Sequence, residues 1–61
     1  MKFYEITFET EFGSVDFSGD FSHFQTFLSA ANKAARARRL IESDETVLDC
    51  DHEITIDGSW V

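Results

Sequence analysis

Five consecutive residues, Asp49, Cys50, Asp51, His52 and Glu53, carry side chains that can bind metal, accept a proton or act as a nucleophile. A nucleophilic site would set Cys50 or a serine beside a histidine that an acid orients, with room for substrate. His23 and His52 are the only histidines, and no glycine-rich phosphate loop is present. Cys50 falls on an apolar face, so a structural thiol is expected and catalysis is not. As a calcium loop, Asp49, Asp51 and Glu53 would take the first, third and fifth positions. Ile54 then stands where the glycine is required, and Trp60 where the bidentate glutamate belongs. As a zinc site, Cys50 and His52 give two ligands and His23 at most a third. Neither a metal nor any other cofactor is expected.

The same residues carry a different pattern. From Thr46 to Asp57 polarity alternates, which predicts one long strand. On a pleated backbone Asp49, Asp51, Glu53 and Asp57 then share one face, and Leu48, Cys50, His52, Ile54 and Ile56 share the other. Ser43-Asp44-Glu45 separates this strand from what precedes it. A turn at Asp51-His52 is the competing reading, but neither residue is glycine and the apolar parity holds throughout.

Upstream, Tyr4, Ile6 and Phe8 alternate with Phe3, Glu5, Thr7 and Glu9, and Val15 and Phe17 alternate with Ser14, Asp16 and Ser18. A turn near Glu11-Phe12-Gly13 joins the two runs into a hairpin. Ser18 to Ser22 reads as a turn, and Ser22 with Gln25 fits a capping box that opens a helix. Phe24, Phe27, Leu28, Ala31, Ala34 and Ala35 make its apolar stripe, which runs to a helix end near Glu42. Four of the five basic residues, Lys33, Arg36, Arg38 and Arg39, sit in its second half, opposing the negative end of the helix dipole. The expected fold is α+β: a single ββαβ domain over residues 1–61, with a three-stranded antiparallel sheet in order 2-1-3 and the helix on one face. The uncovered face receives Glu5, Glu9, Asp16, Asp49, Asp51, Glu53 and Asp57. Phe3 and Phe12 project from that face or its rim, and Trp60 follows at the end of the last strand.

With no proline, no repeat and 61 residues, the chain is one small unit, and burying further surface through a homodimer is open to it. Hydrophobic residues are 43% of the whole, a folded rather than a disordered composition. One cysteine excludes an internal disulfide, and Met1-Lys2-Phe3-Tyr4-Glu5 opens without an apolar run, which sets a reducing, cytoplasmic expectation. The formal charge of −7 opposes direct contact with nucleic acid or an anionic membrane and favours a basic partner. Solubility or adaptation to high salt would also account for such a charge. Like charges set across strands cost stability, however, and exposed aromatics beside them can anchor an interface.

Carboxylates at alternate strand positions lie roughly 6.5–7 Å apart, so rows of them can occupy a basic channel in place of nucleic-acid phosphates. In size, charge and hairpin-helix-strand layout the whole chain resembles the small acidic inhibitor proteins of phages and mobile elements, including anti-CRISPR proteins. The resemblance implies stoichiometric, non-catalytic binding to a host defence complex or nucleic-acid enzyme in the host cytoplasm. Contacts to the basic, nucleic-acid-handling surface of such a partner are expected from Glu5, Glu9, Asp16, Asp49, Asp51, Glu53 and Asp57, with Phe3 and Trp60 as apolar anchors. The alternative is a self-associating or antitoxin-like interaction module that pairs through a strand edge or apolar patch.

Overall fold

Alternating polarity makes Lys2–Thr10 strand β1 and Gly13–Phe21 strand β2 in the computed structural model, which describes residues 1–61. They pair antiparallel in unbroken register, from Lys2 opposite Phe21 to Thr10 opposite Gly13. The chain reverses over Glu11-Phe12, as expected, and Gly13 completes the turn at φ 112°, a value that strains any residue bearing a Cβ. The Thr10 hydroxyl ties the turn together. It donates to the Gly13 carbonyl at 2.9 Å and accepts the Phe12 N–H at 3.0 Å.

Helix α1 (Phe24–Ala37) buries Phe27, Leu28, Ala31 and Ala35 of the expected stripe. Its ends differ from expectation. β2 runs on to Phe21, so the Ser22–Gln25 box does not form; His23 is the N-cap, in extended conformation and without a side-chain cap. The helix also stops short of Glu42. Arg39 turns to φ 57°, its N–H donates to the Arg36 carbonyl at 3.0 Å, and the Leu40 N–H reaches back to the Ala35 carbonyl at 2.9 Å. This pair of bonds is a Schellman closure, which satisfies terminal carbonyls and swings the chain back so that Ile41 is buried in the core.

The single long strand expected from Thr46 to Asp57 is not formed. Strand β3 is His52–Ile56 alone. Before it, Val47–Asp49 winds one 3₁₀ turn, with the Asp49 carboxylate accepting the Thr46 N–H at 2.8 Å and the Thr46 side chain accepting the Asp49 N–H. Apolar parity shifts here: Val47 is fully buried, whereas Leu48, expected inward, is 40% exposed. The helix is the cause. Asn32 Oδ1 accepts the Val47 N–H at 2.7 Å and Arg36 Nη2 donates to the Glu45 carbonyl at 2.7 Å, so α1 holds backbone that a longer strand would have given to the sheet.

β3 then reverses over Asp57-Gly58 into a two-residue strand, β4 (Ser59–Trp60). Both turn residues have positive φ, 51° and 84°, as a type I′ turn requires and as an Asp-Gly pair favours. The fold is α+β, and its antiparallel sheet has four strands in order β2-β1-β3-β4. The expected 2-1-3 order is therefore present with one strand added. Tyr4, Ile6, Phe8 and Ile54 meet the helix residues in one core, which Ile41 and Val47 close from the connection. Its aromatic end is centred on Phe27, whose ring centroid lies 5.2 Å from Tyr4, 5.6 Å from Phe21 and 5.8 Å from Phe17.

Candidate functional site

The helix covers the sheet face that carries Tyr4, Ile6, Phe8 and Ile54; the opposite face is bare. Strand register fixes what stands on it. Glu5 lies between Ser18 and Thr55, with Trp60 beyond Thr55, and Thr7 lies between Asp16 and Glu53. Phe3 is opposite Asp20 and Glu9 opposite Ser14. The Glu9 N–H donates to the Asp51 carbonyl at 2.9 Å, which carries the ladder one residue past β3 and sets Asp51 beside Glu9. Glu5, Glu9, Asp16, Asp20, Asp51 and Glu53 thus share a face that holds no lysine or arginine.

These acids are not stacked directly against one another, as strand alternation alone suggested. Glu5, Asp16 and Glu53 each have threonine or serine as their cross-strand neighbours, so most carboxylates meet only on the diagonal, about 7–8 Å apart. The hydroxyls bond to them: Thr7 Oγ1 donates to Asp16 Oδ1 at 2.8 Å, and Ser14 Oγ to Glu9 Oε1 at 2.7 Å. Glu9 and Asp51 are the one pair of acids set side by side. The cross-strand cost expected from like charges is reduced accordingly.

Two of the expected contact residues are elsewhere. Asp49 belongs to the 3₁₀ turn, where its carboxylate caps Thr46. Asp57 sits in the β3–β4 turn; its Oδ1 accepts the Phe3 N–H at 2.8 Å, and its own N–H donates to the Phe3 carbonyl at 2.7 Å. A bend over Cys50-Asp51 therefore breaks the row that would have linked 49, 51, 53 and 57, and the acidic face is assembled mainly from β1 and β2. Asp20 joins the face because β2 continues through the Ser18–Ser22 segment expected to turn; the alternation of Ser14, Asp16, Ser18 and Asp20 carries that signal. Phe3, 44% exposed, and Trp60, 72% exposed, stand at one end of the face, while Phe12, 70% exposed, lies at the hairpin turn of the other end.

Cys50 is half-buried, and desolvation pushes its thiol pKa above the ordinary value, with the charges of Glu45, Asp49 and Asp51 adding to the rise. The thiolate form that a nucleophile needs is disfavoured. His52 Nδ1 lies 2.8 Å from the Cys50 carbonyl oxygen, a contact in which the ring nitrogen donates. No three His, Cys, Asp or Glu side chains converge as a metal cage would require. Lys33, Arg36, Arg38 and Arg39 are exposed on α1 and its C-terminal closure, in the other layer from the bare face, and Arg39 lines a cleft with Glu9 and Asp51 at the margin of that face. No helix is long and apolar enough to cross a membrane. Comparison with family models, curated proteins and solved structures found no match.

Proposed function

We propose that the bare sheet face binds a basic, nucleic-acid-binding surface of another protein and competes there with nucleic acid, without catalysis. The observation that carries this reading is the composition of the face: six carboxylates interleaved with hydroxyls, and no lysine or arginine among them. Negative groups recurring across strands and along them act on a basic channel as phosphates do, and they speed encounter from a distance. Phe3 and Trp60 supply apolar contact at one end, where a partner can exclude water. An inhibitor of a host defence complex, encoded by a phage and acting in the host cytoplasm, fits this chemistry and the resemblance in size, charge and layout.

Capture from a lysate tests the reading. The immobilised protein should retain nucleic-acid-handling proteins, an added oligonucleotide should block that retention, and Glu5→Gln/Asp16→Asn/Glu53→Gln should abolish it. Retention indifferent to both the oligonucleotide and the triple substitution would refute the proposal. A second reading, self-association through an apolar patch, draws on Trp60 and Val61, which are 72% and 75% exposed on or next to the short strand β4. A homodimer whose mass persists at high salt would favour it.

A further inference from the structure

The two edges of the sheet are unlike. β4 is two residues long, a length that offers an incoming strand little to pair with. β2 is nine residues long, in unbroken register with β1, and has no proline, lysine or bulge to blunt it. Its free hydrogen-bonding groups follow from the ladder. The Glu9 N–H donates to the Asp51 carbonyl and the Asp57 N–H to the Phe3 carbonyl, so odd-numbered β1 residues bond towards β3 and even-numbered ones towards β2. The β2 partners of the odd residues are Ser14, Asp16, Ser18 and Asp20, and their N–H and C=O groups point out from the edge.

We propose that this edge receives an extended segment of the partner, one with lysine or arginine at alternate positions and apolar residues between them. The proposal rests on the reading of the bare face as a surface for a basic protein, and it names how that protein engages. In an added antiparallel strand, residues opposite Asp16, Ser18 and Asp20 share their face, so basic side chains there meet Asp16 and Asp20 directly and Glu5 and Glu9 one strand further in. The intervening side chains fall on the helix side. There Val15 and Phe17 are only half-buried, and with Ala31, Ala34 and Leu40 they form an apolar strip between β2 and α1 whose cavity of about 10 Å³ is too small to take a side chain, so the partner's apolar side chains lie across the strip rather than enter it. Arg38 lines it too, with Asp16 from β2, and the Arg38 charge disfavours a basic residue of the partner on the helix side.

A second copy of the chain fits less well. Every antiparallel β2–β2 register that joins four or more residues sets Asp16 or Asp20 of one copy opposite or diagonal to an aspartate of the other. Like charges so placed oppose pairing. A basic strand gains at the positions where a second copy loses.

The test uses the full chain and a seven-residue peptide of alternating lysine and valine. Binding should slow amide hydrogen exchange at Ser14, Asp16, Ser18 and Asp20 by about tenfold or more, with little change at Gly13, Val15 and Phe17, whose amides face β1. The pairing N–H groups of the peptide belong to its lysines. N-methylation at the lysine nitrogens should therefore weaken binding by at least about tenfold, and methylation at the valine nitrogens should not. Ser18→Pro removes one outward N–H and should lower affinity with β1 exchange unchanged; if that variant misfolds, the two methylated peptides decide the matter alone. Binding without protection of the four outward amides, or equal binding by both methylated peptides, would overturn the edge proposal and leave the acidic-face reading standing. Failure of that reading shows separately, as no capture of basic proteins at all. Protection of those amides that rises with protein concentration, without peptide, would assign the edge to a second copy and overturn the proposal.

Discussion

Asp49 and Asp51 are two residues apart and do different work. Asp51 stands beside Glu9 on the bare face, while Asp49 closes a 3₁₀ turn by accepting the Thr46 N–H. Asn32 and Val47 decide between them. Once Asn32 Oδ1 takes the Val47 N–H, Val47 faces the core and the residues after it cannot continue an alternating strand. Asn32→Ala leaves that N–H without its acceptor and should lower stability by about 1–3 kcal/mol, read from urea unfolding. Cys50 gives a pH signature. Its pKa is raised in the folded state, so the fold holds this proton more tightly than the unfolded chain does. The resulting stability is fully present below the ordinary thiol pKa of about 8.5 and is lost as pH rises through the folded value. Alkylation by iodoacetamide should therefore show an apparent pKa above that of an unfolded control, and Cys50→Ala should flatten the alkaline fall in the urea midpoint. An alkylation profile equal to the control would count against the burial and charge assigned to this thiol.

How much of each element was readable depended on whether its signal was local. The β1–β2 hairpin was legible because two alternating runs flank a glycine, and the helix because Phe24 to Ala35 keep one stripe. The helix stop was not, since Arg39 adopts the left-handed conformation usually left to glycine. The break before β3 was not, because Leu48 and Cys50 continue the alternation while the deciding contact comes from Asn32, far away in sequence. The Asp57-Gly58 turn is legible, since an Asp-Gly pair between Ile56 and Trp60 is a strong hairpin signal, although the two-residue strand that follows is too short to alternate. Of the candidate face, Glu5, Glu9, Asp16, Asp51 and Glu53 were found from parity, whereas Asp49 and Asp57 were misplaced where local backbone bonding replaced strand geometry. Two substitutions test the closures. Arg39→Gly should raise stability by about 0.5–1 kcal/mol by relieving a left-handed non-glycine residue, and Gly58→Ala should lower it by about 1 kcal/mol or more.

Charge is segregated in the molecule as a whole, with the acids of the sheet face in one layer and four basic residues at the helix end in the other, and the two meet where Arg39 lines a cleft with Glu9 and Asp51. The checkerboard of acids and hydroxyls lets the sheet tolerate its charge, but the diagonal repulsions remain. Glu5→Gln/Asp16→Asn/Glu53→Gln should therefore raise the urea midpoint at low salt, and by less at high salt. A substitution that strengthens the fold while it removes partner capture would place these carboxylates in binding rather than in stability.

The most direct measurement is a displacement titration. A basic protein captured by the bare face is loaded with a fluorescent oligonucleotide, and release is followed by anisotropy at about 50 and 200 mM salt. The wild-type chain should release the oligonucleotide, less effectively at the higher salt, and the triple variant should need at least about tenfold more protein at the lower salt. Equal release by both chains, or release indifferent to salt, would contradict the assignment of this face as a stand-in for nucleic acid.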